Sequence, residues 1–232
     1  MSRELTRSQL VERSIIKKYH KVLWTPFMAA IRDYALLRPD DRIAVCVSGG
    51  RDSMLLAKLM QQLHRHSDVP FQLEFICLAP DSSVEENAAL LQIPLRVADT
   101  PMSESALFAL AQTLGCNKIA LGHHRNDVIE TTVTAMFYHG QLRSMNPKRR
   151  SEDFPGLELI RPMYNIREAD VAAWAHYNDL RFPQPSLPEE RRAVRQLLQT
   201  QGKHNPGIET SIFRSLHAVN LDMFPEYENP LD

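Results

Sequence analysis

Apolar positions along the chain fall into two alternating periods, and that alternation predicts the architecture. Leu10, Ile15, Ile16, Leu23, Phe27, Ile31 and Leu36 recur at helical spacing over residues 5–37, with an interruption near Pro26. Arg38-Pro39-Asp40-Asp41 turns into a first strand over 42–47, and a helical pattern resumes from Met54 to about Arg65. Phe71, Leu73, Phe75 and Cys77 alternate in a second strand over 71–78, followed by a helix near 83–92 and a third strand over 94–98. A helix over 103–114, with Ser103 as N-cap and Gly115 as its stop, precedes a fourth strand over 118–121. Another helix runs from about 127 to 138.

Strands alternating with helices at this spacing imply βαβ units. The fold class is therefore α/β, a doubly wound, mostly parallel sheet with helices on both faces. Beyond residue 140 the pattern loosens: 141–156 is polar and basic, 157–160 reads as a short strand, and 168–177 is helical. Pro183, Pro185 and Pro188 mark an irregular link before a basic helix over 189–198, and 208–219 reads as a last helix. This divides the chain into an N-terminal helical extension (1–40), a central sheet domain (41–180) and a C-terminal helical extension (181–232).

Parallel sheets bind ligands beyond the carboxyl ends of their strands. The pattern brings 48–53, 77–81 and 122–127 to that edge. Ser48-Gly49-Gly50-Arg51-Asp52-Ser53 lies between the apolar run ending at Val47 and a helix start. There, unpaired N–H groups and the helix dipole favour a phosphate. No Gly-Lys-Ser/Thr follows, so this is not a Walker loop, and no Gly-x-Gly-x-x-Gly marks a dinucleotide site. In the second segment, Gly122-His123-His124-Arg125-Asn126-Asp127, the Asp127 carboxylate points toward the loop. With Asp52 it can hold Mg²⁺ against a polyphosphate. His123 and His124 make a poor zinc pair, because neighbours after a strand point to opposite sides and no cysteine or third histidine lies near. For His124, capping the turn and serving the site both stay open.

Composition narrows the function classes. The chain has 232 residues, 44% of them apolar, and a net charge of −1, without the basic excess of a dedicated nucleic-acid binder. Cys46, Cys77 and Cys116 are scattered and form no C-x-x-C pair, which argues against a disulfide scaffold or a structural zinc site. No stretch approaches the roughly 18 apolar residues of a membrane span, and Arg3, Arg7 and Arg13 precede no signal-like segment. The expectation is a cytoplasmic protein with no membrane partner.

The Ser-Gly-Gly-x-Asp-Ser string resembles the pyrophosphate loop of PP-loop ATPases, which split ATP into AMP and pyrophosphate. Leu121-Gly122-His123-His124 with Asp127, Glu130 and Thr131 extends that likeness. So do Met136-Phe137-Tyr138-His139-Gly140, Met145-Asn146-Pro147-Lys148, Ile160-Arg161-Pro162 with Arg167-Glu168, and Pro206-Gly207-Ile208-Glu209-Thr210. Together these are similar to the tRNA 2-thiocytidine synthetases, the TtcA group, over residues 20–225. The loop and the His-His segment alone would also fit the tRNA-Ile lysidine synthetases. The resemblance implies ATP held by Val47, Ser48, Gly49, Gly50, Arg51, Asp52, Ser53, Cys77, Gly122 and His123. It further implies Mg²⁺ on Asp52 and Asp127, and phosphate or substrate contacts from Arg161, Arg167 and Lys148.

The chain departs from the group in one respect. Members carry cysteine pairs that ligate an iron–sulfur cluster, but here Val97-Ala98-Asp99-Thr100-Pro101-Met102-Ser103 and Phe182-Pro183-Gln184-Pro185-Ser186-Leu187 hold none. Asn126 also stands where the group often has aspartate. The expectation is no cluster, with sulfur brought by sulfide or an external donor protein. Cys116, in a polar turn beside Lys118, is the most exposed candidate for a sulfur-carrying thiol, weighed against an inert surface role. Arg143, Lys148, Arg149, Arg150, Arg191, Arg192 and Arg195 are candidate RNA contacts, diluted by Glu152, Asp153, Glu189 and Glu190. The resulting expectation is an AMP-forming sulfurtransferase that adenylates a nucleobase carbonyl. The absent cluster and absent basic excess favour a free, guanine-like base. Alternatives are a tRNA cytidine, a lysidine-synthetase-like ligase and a non-catalytic ATP-binding module. A homodimer is compatible with all of them.

Overall fold

The computed structural model describes residues 4–101, 103–183 and 186–220. Residues 1–3 and 221–232 of the expected terminal extensions lie outside the described residues, as do Met102, Gln184 and Pro185. Six strands, β1 (Arg42–Cys46), β2 (Gln72–Leu78), β3 (Leu95–Ala98), β4 (Lys118–Ala120), β5 (Lys148–Arg150) and β6 (Glu158–Ile160), form one sheet ordered β3-β2-β1-β4-β6-β5. Every neighbouring pair is parallel except β5 with β6. β1 is apolar throughout its buried part because both faces are covered: Ile43, Ala44 and Val45 are fully buried.

The helices are α1 (Arg7–Ile16), α2 (Thr25–Asp33), α3 (Arg51–His66), α4 (Ser82–Leu90), α5 (Glu104–Thr113), α6 (Arg125–His139), α7 (Glu168–Tyr177), α8 (Glu189–His204) and α9 (Ile208–Ser215). α3 packs on β1 and β2, with α1 and α7 against it. On the opposite face Phe108 and Ala111 of α5 close over Ala44, Cys46, Ile76, Cys116, Ile119, Leu157 and Leu159. Lys58 of α3 is fully buried, and its Nζ bonds Glu12 Oε1 at 2.5 Å, Ser8 Oγ at 3.0 Å and Leu91 O at 2.8 Å, fastening α1 to α3.

Three expectations need correction. The N-terminal helical stretch is not interrupted at Pro26, which sits in the first turn of α2 where its missing N–H costs nothing. The break is a π-helical turn at His20–Trp24. The polar segment 141–156 contains β5, an edge strand whose Lys-Arg-Arg sequence carries no apolar alternation. α8 continues past 198 to His204, and α9 stops at Ser215.

The chain parts into two compact units, the described residues of Met1–Asp127 with Met145–Ser186, and those of Val128–Ser144 with Leu187–Asp232. The first holds the whole sheet. In the second, Ile129, Val133, Val194 and Leu198 form a small core. There buried Glu130 accepts from Arg191 Nε and Arg195 Nε, both at 2.7 Å. Among the described residues no helix is long and apolar enough to cross a membrane.

Candidate active site

β1 and β4 are adjacent, but the chain leaves them in opposite directions, β1 toward β2 and β4 toward β6. This is the point in a doubly wound sheet where a crevice opens. A cavity of about 260 Å³ lies there, lined by backbone or side chains of Val47, Ser48, Asp52, Ser53, Gly122, His123 and Asp127. Its apolar wall comes from Cys46, Ile76, Leu78, Leu107 and Leu121.

The loop after β1 is held by its own serines. Ser53 Oγ donates to Gly50 O at 2.9 Å and accepts from Ser48 N–H at 3.1 Å and from Ser48 Oγ at 3.2 Å. Gly49 has φ +82°, and a Cβ there would stand 2.4 Å from Val84 Cγ2. Gly122 is tightly placed for another reason. A Cβ on it would meet Asp52 C and Ser53 N at 3.1 Å, so the turn after β4 presses on the first turn of α3. Arg51 bonds Glu168 at the start of α7 and reaches Asp52 Oδ1 at 3.3 Å. Glu168 N–H in turn donates to Asn126 Oδ1 at 3.0 Å. Asn126 thus ties the start of α6 to the start of α7.

His124 lies between the two carboxylates and is 2% exposed. Its backbone N–H donates to Asp127 Oδ2 at 2.7 Å, and its Nδ1 accepts from the Asp127 N–H at 3.4 Å, a reciprocal cap on α6. The same Nδ1 lies 3.2 Å from Asp127 Oδ2, and Nε2 stands 3.9 Å from Asp52 Oδ1. The two roles left open for His124 are one arrangement. Burial raises the Asp52 carboxyl above the usual carboxylate range; His124 and Arg51 oppose the rise and the charge of Asp127 adds to it.

Arg161 follows β6 and is 8% exposed, with Nε donating to His123 Nδ1 at 3.3 Å and Nη1 to Asn146 O. Burial and then the charge of Arg149 draw its pKa below the ordinary arginine value, against the opposing charges of Glu104 and Asp127. Arg167 is a different case, exposed and bidentate on Asp170 at 2.7 and 3.1 Å. Lys148 Nζ donates to Ala35 O at 3.2 Å. The structure therefore brings Val47, Ser48, Asp52, Ser53, Gly122, His123, Asp127 and Arg161 together and leaves Arg167 and Lys148 on other partners.

The cysteines depart from expectation. Cys77 does not line the cavity, since its neighbours Ile76 and Leu78 share the other face of β2. Cys116 is not exposed. It is buried at the amino end of β4, faces Arg42 rather than Lys118, and burial pushes its thiol up to about 11. Of the basic residues, Arg149 pairs with Glu104 at 2.5 Å and Arg150 with Glu158 at 3.7 Å.

The family model described as a PP-loop domain matches residues 105–201. A tRNA-cytidine(32) 2-sulfurtransferase of Xanthomonas axonopodis pv. citri is 34% identical, over 85% of this chain and 75% of that protein. One from Chromohalobacter salexigens is 30% identical, over 82% of this chain and 78% of that protein. Among solved structures, the U34-tRNA thiolase NcsA from Methanococcus maripaludis with its [4Fe-4S] cluster superposes with a TM-score of 0.67. That likeness covers 92% of this chain and 81% of the other at 19% identity, and concerns the fold.

Proposed function

The chain belongs to the family of the tRNA-cytidine(32) 2-sulfurtransferases, and from that premise we propose that this ATP-dependent sulfurtransferase replaces the 2-oxygen of a tRNA cytidine by sulfur, with AMP and pyrophosphate as products. The observation that carries the reading is the convergence of Asp52 and Asp127 on buried His124, beside a phosphate-type loop and a cavity at the sheet's switch point. The free base that charge balance favoured has no counterpart in the two relatives named above, so tRNA takes its place as the proposed substrate.

The loop N–H groups at the start of α3 receive the leaving pyrophosphate. Asp52 and Asp127 suit Mg²⁺, which takes one or two carboxylates and fills its shell with phosphate oxygens and water. The charge of Asp127 adds to the rise of the Asp52 carboxyl, and a cation between them would relieve it. Such an ion would neutralise the charge that builds on the phosphates. His124 holds both carboxylates in register. Arg161, buried and bonded to His123, stabilises negative charge at the α-phosphate. Adenylation turns a poor oxygen leaving group into AMP.

Incubating tRNA that lacks thiolated cytidine with the protein, ATP, Mg²⁺ and sulfide, then digesting to nucleosides for mass spectrometry, tests this. The expected result is 2-thiocytidine. Unchanged tRNA beside a thiolated free oxo-purine would overturn it and restore the small-base substrate.

A further inference from the structure

The fold neighbour carries a [4Fe-4S] cluster, and the donor set of this chain does not fit one. Clusters of that type are held by cysteine thiolates gathered at one site with room for the cluster. This chain has three cysteines in all, Cys46, Cys77 and Cys116, and each is buried, at 7%, 2% and 6% exposure. Cys46 and Cys116 belong to the apolar layer under α5, where Ile76, Phe108 and Ile119 surround them. Among the described residues no group of three or more histidine, cysteine or acidic side chains is placed to hold a metal ion.

The same burial closes the other common route. A persulfide-carrying thiol must be accessible to its donor and ionised to react. Burial pushes the thiols of Cys77 and Cys116 up to about 11 and that of Cys46 higher still. Transfer from a persulfide also leaves a C–S–S adduct, which a second thiol must cleave by forming a disulfide. The chain has no exposed thiol for that step.

We propose that this enzyme accepts sulfur already at the oxidation level of hydrosulfide, delivered from outside, with no cluster and no thiol of its own on the path. The inference rests on the proposed adenylation of a tRNA cytidine. Hydrosulfide attacks C2 of the adenylated base and a C–S bond forms. The C2–O bond breaks, and its electron pair leaves on the AMP oxygen. The sulfur loses its remaining proton to solvent and C2 carries a C=S bond. Sulfur begins and ends at the same oxidation state, so the exchange needs neither oxidant nor reductant. Buried Arg161, at the His123 side of the cavity, supplies the positive charge that both an incoming anion and departing AMP require.

The test measures 2-thiocytidine and AMP in the same reactions, with protein purified without oxygen. One portion is stripped by a chelator, another is treated with iron and sulfide, and both receive ATP, Mg²⁺, tRNA and sodium sulfide. The expected result is little iron in the protein as purified and a ratio of thiocytidine to AMP equal within about twofold in the two portions. The single variants Cys77→Ala and Cys116→Ala, both outside the cavity lining, should keep that ratio within the same range. Stoichiometric iron with a visible absorbance band overturns the inference. So does thiocytidine that appears only after iron treatment or only with a persulfide donor. A Cys→Ala variant that still releases AMP but drops the ratio more than about tenfold also overturns it. Failure of tRNA to elicit any AMP would instead strike the adenylation reading beneath it, which the separate AMP measurement identifies.

Discussion

Asp52 and Asp127 come from different helices and meet only through the fold, with His124 Nε2 3.9 Å from one and His124 Nδ1 3.2 Å from the other. The Asp52 side chain lines the cavity, with Arg51 at 3.3 Å and His124 at 3.9 Å, and burial already penalises its charge. Asp52→Asn should therefore leave the melting temperature unchanged or slightly higher while lowering AMP formation by about a hundredfold or more, the scale expected when a metal-binding carboxylate is lost. Melting curves and AMP chromatography on the same preparation check both halves, and a variant that retains activity would remove Asp52 from the site. Asp52, Asp127 and the serines were legible in the sequence because strand-end position and residue type suffice to place them. The role of His124 was half legible: its cap to Asp127 follows from spacing, but its approach to Asp52 spans 72 positions of chain that only the fold closes. Cys77 falls outside the cavity lining because position at a strand end fixes the edge of the sheet and not which face a side chain takes.

At the scale of elements, the turn after β4 and the start of α3 fit so closely that a single methyl tests them. Gly122→Ala places a Cβ 3.1 Å from Asp52 C and Ser53 N, both backbone atoms that can yield little. The expected outcome is an ATP affinity lowered about tenfold, with the fold retained, measured by calorimetric titration; unaltered binding would show that the two segments are not in register as described. The α1–α3 junction yields a pH prediction. Burial alone would raise the Glu12 carboxyl, but the bonds from Arg65 and Lys58 outweigh it and hold its pKa below the usual glutamate range. A depressed folded pKa means that Glu12 stabilises the protein above the unfolded value and loses that contribution as pH falls through the folded one. Glu12→Gln also leaves buried Lys58 without a counter-charge, so it should cost roughly 3 kcal/mol at pH 7, or on the order of 10 °C in melting temperature. The difference from wild type should shrink below about pH 4; a gap that stays constant down to acid would contradict the ion-pair account. The strands β1 to β4 and β6 were visible as apolar runs. β5 was not, because an edge strand of Lys148, Arg149 and Arg150 is specified by its ladder to β6 rather than by its own pattern.

For the molecule as a whole, a parallel sheet, a switch point between β1 and β4 and one loop at each of those strand ends assemble the site from segments 70 residues and more apart. Alternating periods were enough to derive that architecture, since each strand and helix carries its own local signal. Substrate was less legible. A net charge of −1 speaks to overall electrostatics, and Arg149, Arg150, Arg191 and Arg195 turn out to be paired with Glu104, Glu158 and Glu130. Long-range charge therefore says little about which base is held. The central claim is that the base oxygen itself is adenylated, and isotope transfer tests it most directly. tRNA carrying ¹⁸O at C2 of the target cytidine would be incubated with the protein, ATP, Mg²⁺ and sulfide, and the nucleotide product weighed by mass spectrometry. The account predicts one ¹⁸O in the phosphate of AMP for each thiocytidine formed; unlabelled AMP, or ADP in its place, would contradict it.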